Sequence, residues 1–129
     1  MGLPERLAAA LGEVATVVEE ADGALTVSQG GTVASLRVVS ITEDLEMVSL
    51  TQLLAWDIPA TNKIRGLVAE QAARTVLGTV ALVEKPGAKT GDVVLRYNFP
   101  GAGLTDDALR TLVLLVLAGG ADARAAIGS

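Results

Sequence analysis

The chain has 129 residues, half of them apolar, with a net charge of −5, no Cys, no His, and Trp56, Tyr97 and Phe99 as its only aromatics. That length fits one domain with one core of aliphatic packing. The missing residue types exclude a disulfide framework, a thiolate nucleophile, an imidazole base and a zinc cage of the usual ligands. The acidic balance, with ten basic residues scattered along the chain, argues against a nucleic-acid partner.

Leu3, Leu7, Leu11, Val14, Val18 and Ala21 recur at three- and four-residue spacing, the stripe of one amphipathic helix. Pro4 suits its first turn, and Asp22-Gly23 is read as its end. Three strands are predicted next: Ala24 to Gln29, then Val33 to Ile41 across a Gly30-Gly31 hairpin signal, then Leu45 to Ala55 after the polar turn Glu43-Asp44. The third has apolar residues on both parities, Met47 and Leu53 on one and Val48, Leu50 and Leu54 on the other, where a half-buried strand alternates more cleanly. Asp57-Ile58-Pro59 is read as a strand breaker. Thr61 or Asn62 caps a second helix whose apolar side is Ile64, Leu67, Val68, Ala72, Thr75 and Val76, closed by Gly78. A second hairpin follows, Thr79 to Glu84 and Asp92 to Phe99, with Val93, Leu95, Tyr97 and Phe99 on one face and Arg96 and Asn98 on the other. Thr105 caps a third helix, with Asp106 and Asp107 complementing its dipole. Leu109, Leu112, Val113 and Val116 form its stripe, and Leu114, Leu115 and Leu117 carry apolar character around the cylinder, so that burial on all sides is expected. Gly119-Gly120 weakens the continuation toward the Ala-rich end. The order of helix, three strands, helix, two strands and helix predicts an α+β fold with an antiparallel sheet packed by helices, a single domain over residues 1–129.

The opening Met1-Gly2-Leu3-Pro4-Glu5-Arg6 shows no signal-peptide pattern. Leu112 to Ala118 is too short to span a bilayer. A soluble cytoplasmic protein with no membrane partner is expected.

No residue cluster points to chemistry. Pro100-Gly101-Ala102-Gly103 lacks the Lys and Ser/Thr of a phosphate loop, and Asp106 and Asp107 repel phosphate there. Glu43, Asp44 and Glu46 lack the glycine and terminal glutamate of a calcium loop. Lys85 and Lys89 belong to a polar hairpin loop, and Ser28, Ser35, Ser40 and Ser49 have no histidine to serve as base. No catalytic residue, cofactor or metal site is therefore predicted, an enzyme using Asp57 and Glu84 being the weakest alternative. The apolar surplus is the functional lead, because soluble monomers seldom expose large contiguous apolar patches. It assigns protein binding to Met47, Val48, Leu50, Leu54, Leu114, Leu115 and Leu117. Trp56 either caps the core or serves as an exposed contact anchor.

The stretch from Leu67 to Ile127 resembles the YbjN family of bacterial proteins. The resemblance rests on Leu67-Val68-Ala69-Glu70-Gln71-Ala72-Ala73-Arg74-Thr75-Val76-Leu77-Gly78, on Gly91-Asp92-Val93-Val94-Leu95-Arg96-Tyr97, and on Gly103-Leu104-Thr105-Asp106-Asp107-Ala108-Leu109. The N-terminal half agrees in element order. Ala72 stands where family members often carry Asn, so any role of that side chain is not inherited. The resemblance implies the fold of the type III secretion chaperones, which are small, acidic, dimeric α+β proteins. It implies a non-enzymatic, chaperone-like homodimer that binds a protein or peptide client. The alternative is a small regulatory or structural subunit docking into a larger hetero-complex. Both require that Leu50, Leu54, Leu114 and Leu117 are not all enclosed by their own chain.

Overall fold

The computed structural model describes residues 2–128. Met1, where the reading of the opening segment begins, and Ser129 lie outside them. The first helix, α1 (Leu3–Gly12), has Pro4 in its first turn and buries Leu3, Leu7, Ala10 and Leu11. It ends nine residues earlier than the apolar stripe predicts. Thr16–Glu19 is instead a strand, β1, paired antiparallel with the next one. Thr16, Val17 and Val18 are consecutive β-branched residues, which lose side-chain freedom in a helix and fit a pleated surface. The following strands are β2 (Leu25–Gln29), β3 (Thr32–Thr42) and β4 (Leu45–Pro59). The first run therefore holds four strands, where three were expected. Gly30 and Gly31 have φ of 61° and 79°, the pair of positive values that a two-residue hairpin of matching twist requires.

β4 does not break at Asp57-Ile58-Pro59. It continues to Pro59 through register irregularities between Leu53 and Ala55 and between Ala55 and Ile58. Asp57, at φ 53°, is the single non-glycine residue with positive φ among the described residues, and such bulges bend a strand without ending it. The second helix, α2 (Asn62–Arg74), is capped by the Thr61 hydroxyl, which accepts from the Ile64 amide at 3.2 Å. It stops at Arg74, short of Gly78, leaving Val76 on a loop and 92% exposed. Then come β5 (Thr79–Glu84), β6 (Thr90–Pro100) and α3 (Asp106–Ile127), the last capped by Thr105 and unbroken through Gly119-Gly120.

The six strands form one sheet in the order β1-β2-β3-β4-β6-β5, every neighbour antiparallel. The α+β class with an antiparallel sheet packed by helices is the one read from the element pattern. Leu25, Val27, Leu36, Val48, Leu50, Val80, Val93, Leu95 and Phe99 lie on one face of the sheet. They form a single core with Leu7 and Leu11 of α1, Val68 of α2, and Leu109, Val113, Val116 and Leu117 of α3. All three helices thus cover the same face. Two arginines tie α1 to α3: Arg6 bonds Asp106 at 2.9 Å, and Arg110 bonds Glu13 at 2.6 Å while donating to the Ala10 carbonyl. That second contact satisfies a carbonyl left over at the end of α1.

Two polar residues, Thr32 and Gln52, are buried among the described residues. Gln52 is fully buried, and its Nε2 donates to Thr32 Oγ1 at 2.8 Å and to the Leu117 carbonyl at 3.1 Å. Thr32 in turn donates to the Gln29 carbonyl, so Gln52 links the β2–β3 turn, β4 and α3. Its Oε1 has no hydrogen-bond partner among the described residues. It lies against Gly120, where an added Cβ would stand 1.8 Å away.

Candidate functional site

Because side chains alternate across a strand, the residues between those of the core point to the side that no helix covers among the described residues. The registers align them in rows across the sheet. One row reads Ser28, Val33, Leu53, Val94 and Ala81 from β2 to β5. The next reads Val18, Thr26, Ser35, Thr51, Arg96 and Thr79 across all six strands. A third holds Arg37, Ser49 and Asn98, and a fourth Val39, Met47 and Pro100. The bare face is therefore a polar belt between two apolar patches. Val39, Ile41, Leu45 and Met47 line a hollow of about 350 Å³ at the β3–β4 hairpin, with Ile41 59% exposed. Val33, Leu53 and Val94 lie at the opposite end, next to Trp56.

Trp56 is 71% exposed. It stands where the register irregularity around Asp57 interrupts the strand, beside a cluster of charged side chains. The Asp57 amide donates to Asp92 Oδ1 at 2.9 Å. Lys85 Nζ donates to Asp57 Oδ1 at 2.9 Å, lies 3.5 Å from Asp92 Oδ1, and sits 5.9 Å from the centre of the Trp56 ring, within the range at which a cation is drawn to an aromatic face. The Lys85 hydrogen bond, with a second one from Thr90, holds the Asp57 carboxyl below its ordinary value of 3.8. The Asp57 bond in turn raises the Lys85 ammonium above 10.5.

A pH dependence follows. A carboxyl whose folded pKa is depressed contributes its pairing in full above the unfolded value and loses it as the pH falls through the lower folded value. Acidification below about pH 3.8 is expected to release Lys85 from Asp57 and shift the emission of Trp56, the one tryptophan of the chain. Far-UV circular dichroism should stay unchanged over the same range, and Asp57→Asn should remove the transition. An emission that tracks the loss of secondary structure, or that persists in Asp57→Asn, would contradict this account.

The residues assigned to protein binding from the sequence divide. Contrary to that assignment, Val48, Leu50, Leu54 and Leu117 are enclosed by their own chain: all four belong to the core between the sheet and the helices, so no neighbour is needed to cover them. Met47 and Leu114 are half-buried, and Leu115 and Trp56 are exposed. Leu115 borders a separate groove of about 380 Å³ with Val76 and Gly119 between α2 and α3. It is therefore not continuous with Met47 and Trp56. Val33, Val39, Ile41 and Leu45 were not singled out from the sequence, and Leu53 was placed on the parity of Met47 without being assigned to binding. Their signal is the parity opposite to Leu36 and Leu50, readable only once the helices are known to cover one face.

No protein-family model matches the chain, and no curated protein matches it. Among solved structures it is similar to the crystal structure of YbjN from E. coli, which is described as a candidate transcription regulator. The TM-score is 0.65 at 12% sequence identity, over 96% of this chain and 89% of that one. The fold is YbjN-like, as the resemblance in the C-terminal half implied. Among the described residues no helix is long and apolar enough to cross a membrane.

Proposed function

We propose that this protein is a non-enzymatic, chaperone-like binding module of the cytoplasm that acts as a homodimer and uses the bare face of its sheet to hold a protein or peptide client. One observation carries the reading: a six-stranded sheet with all three helices on one side leaves Val33, Val39, Ile41, Met47 and Leu53 on the other with no covering element among the described residues. Exposed apolar rows of this kind mark interaction surfaces. The two patches suit different occupants. The hairpin patch of Val39, Ile41, Leu45 and Met47 carries no charge, as the centre of a self-association surface should. The Trp56 end offers an aromatic anchor beside a groove, the form that receives an extended segment. A net charge of −5 argues against direct contact with nucleic acid, so any regulatory role is exerted through protein partners.

Light scattering coupled to size exclusion tests the reading. The chain is expected to elute at twice its 13.1 kDa mass. The Ile41→Glu/Met47→Glu variant should dissociate at least roughly tenfold more readily, since placing charges in a desolvated contact centre costs more than about 1.4 kcal/mol. A native chain that stays monomeric at high concentration would refute the homodimer.

A further inference from the structure

We propose that the corner between the Gly30-Gly31 turn and the overhanging end of β4 binds the C-terminal end of an extended peptide, with its terminal carboxylate on Arg124. The proposal rests on the reading of this chain as a binding module and names the partner class for the Trp56 end of its surface.

Three features of the corner converge. β3 pairs with β4 only as far as Val33 and Leu53, whereas β6 follows β4 on to Pro59 opposite Thr90. Residues 55–59 of β4 therefore have a strand on one side only, and the space in line with β3 is closed off by the hairpin turn. That space is a groove of about 250 Å³, walled by Val33, Leu53, Trp56 and Ile58 and ending at Gly31 and Arg124. Arg124, near the end of α3, donates one Nη1 hydrogen bond to the Gly31 carbonyl and has no carboxylate partner among the described residues. A guanidinium carries five N–H donors and favours two-pronged pairing with a carboxylate. One donated bond leaves that capacity unused.

Strand direction selects the occupant. A peptide lying antiparallel to β4 in the line of β3 runs the same way as β3, so its last residue arrives at the Gly30-Gly31 turn and Arg124. A peptide in the opposite direction would bring its amino terminus to the same cation. The bulges in β4 limit how much backbone ladder forms. Binding therefore depends on the carboxylate and on one apolar side chain in the groove, rather than on a long row of main-chain bonds.

Trp56 is the one tryptophan of the chain and lines the groove, so its emission reports occupancy without a label. The probe is an acetylated pentapeptide, Lys-Thr-Val-Thr-Val, with a free carboxylate. It is compared with its C-terminal amide and with an amide carrying glutamate at the middle position. The free acid is expected to give a saturable blue shift, and both amides to bind at least tenfold more weakly. Arg124→Gln should weaken the acid to the level of the amides, Arg124→Lys should retain part of the preference, and Arg37→Gln, whose arginine already pairs with Asp22, should leave it unchanged. Equal binding of acid and amide overturns the proposal, as does an internal glutamate that matches the free carboxylate or the absence of any saturable shift. The acid-to-amide comparison uses the native chain, so it stands even if an Arg124 variant fails to fold. A monomeric chain that still prefers the acid would sink the homodimer and leave this site intact, whereas a dimer indifferent to the carboxylate would sink this site alone.

Discussion

Leu50→Ala is expected to destabilise the protein by about 3–5 kcal/mol, the range for emptying a large aliphatic site in a closed core, while Leu53→Ala, three residues along the same strand, changes stability by less than about 1 kcal/mol. Both are leucines in β4, and the sequence places them on opposite parities without saying which parity is covered. The structure separates them by face. Leu50 pairs with Leu36 and Tyr97, is 0% exposed and packs under α3. Leu53 pairs with Val33 and Val94 on the side without helices and is 42% exposed. A domain of this size is stable by roughly 5–15 kcal/mol, so the first substitution removes a large share of the total and the second almost none. Urea unfolding reads the difference as a shift of midpoint at constant slope. Similar losses at both positions would mean that a second layer covers the bare face in the isolated chain. Leu53→Ala has a further use. A variant of undiminished stability that binds peptide less well would place the contact on this face without the ambiguity of a damaged fold.

How much of this was legible in the sequence depends on whether a signal was local. Thr61 and Thr105 act as caps because a hydroxyl three residues before an amide is a local geometry. The Gly30-Gly31 turn was readable for the same kind of reason. Val14, Val18 and Ala21 misled because their spacing continues the stripe of Leu3, Leu7 and Leu11. What ends the helix at Gly12 is the pairing of Val17 with Val27 and Val18 with Thr26, a contact between segments that periodicity cannot register. Asp57-Ile58-Pro59 misled differently. Its residues do disfavour a regular strand, and the strand answers with a bulge, which keeps β4 alive and turns Trp56 outward. The apolar surplus of β4 combines a buried set with a set on the other parity, and parity alone does not say which set a helix covers. Val48, Leu50 and Leu54 belong to the core, and the companions of Met47 on the open side are contributed mainly by β3. Leu115 was visible as surplus on α3, yet the chain places it in a different groove from the sheet.

Gly119 and Gly120 sit together in α3, and propensity treats both as defects, each costing about 1 kcal/mol relative to alanine. A Cβ at Gly119 meets nothing within 4 Å, whereas one at Gly120 would lie 1.8 Å from Gln52 Oε1 and 2.5 Å from its Cδ. Gly119→Ala should therefore stabilise by about 0.5–1 kcal/mol. Gly120→Ala should destabilise by about 3 kcal/mol, because the methyl group either strains the packing or drives Gln52 off Thr32 and the Leu117 carbonyl, stranding buried polar groups. At this chain length that corresponds to a melting temperature lower by roughly 10 °C. A double-mutant cycle isolates the cause: in a Gln52→Ala background the methyl enters vacated space, and the cost of Gly120→Ala should fall by about 2 kcal/mol or more. Independent, additive effects would show that α3 simply shifts to admit the methyl. Coupling would show that the close approach of helix and β4 at this point is what forces glycine, and hence that the polar bridge from the β2–β3 turn through Gln52 to α3 fixes where the helix layer lies over the sheet.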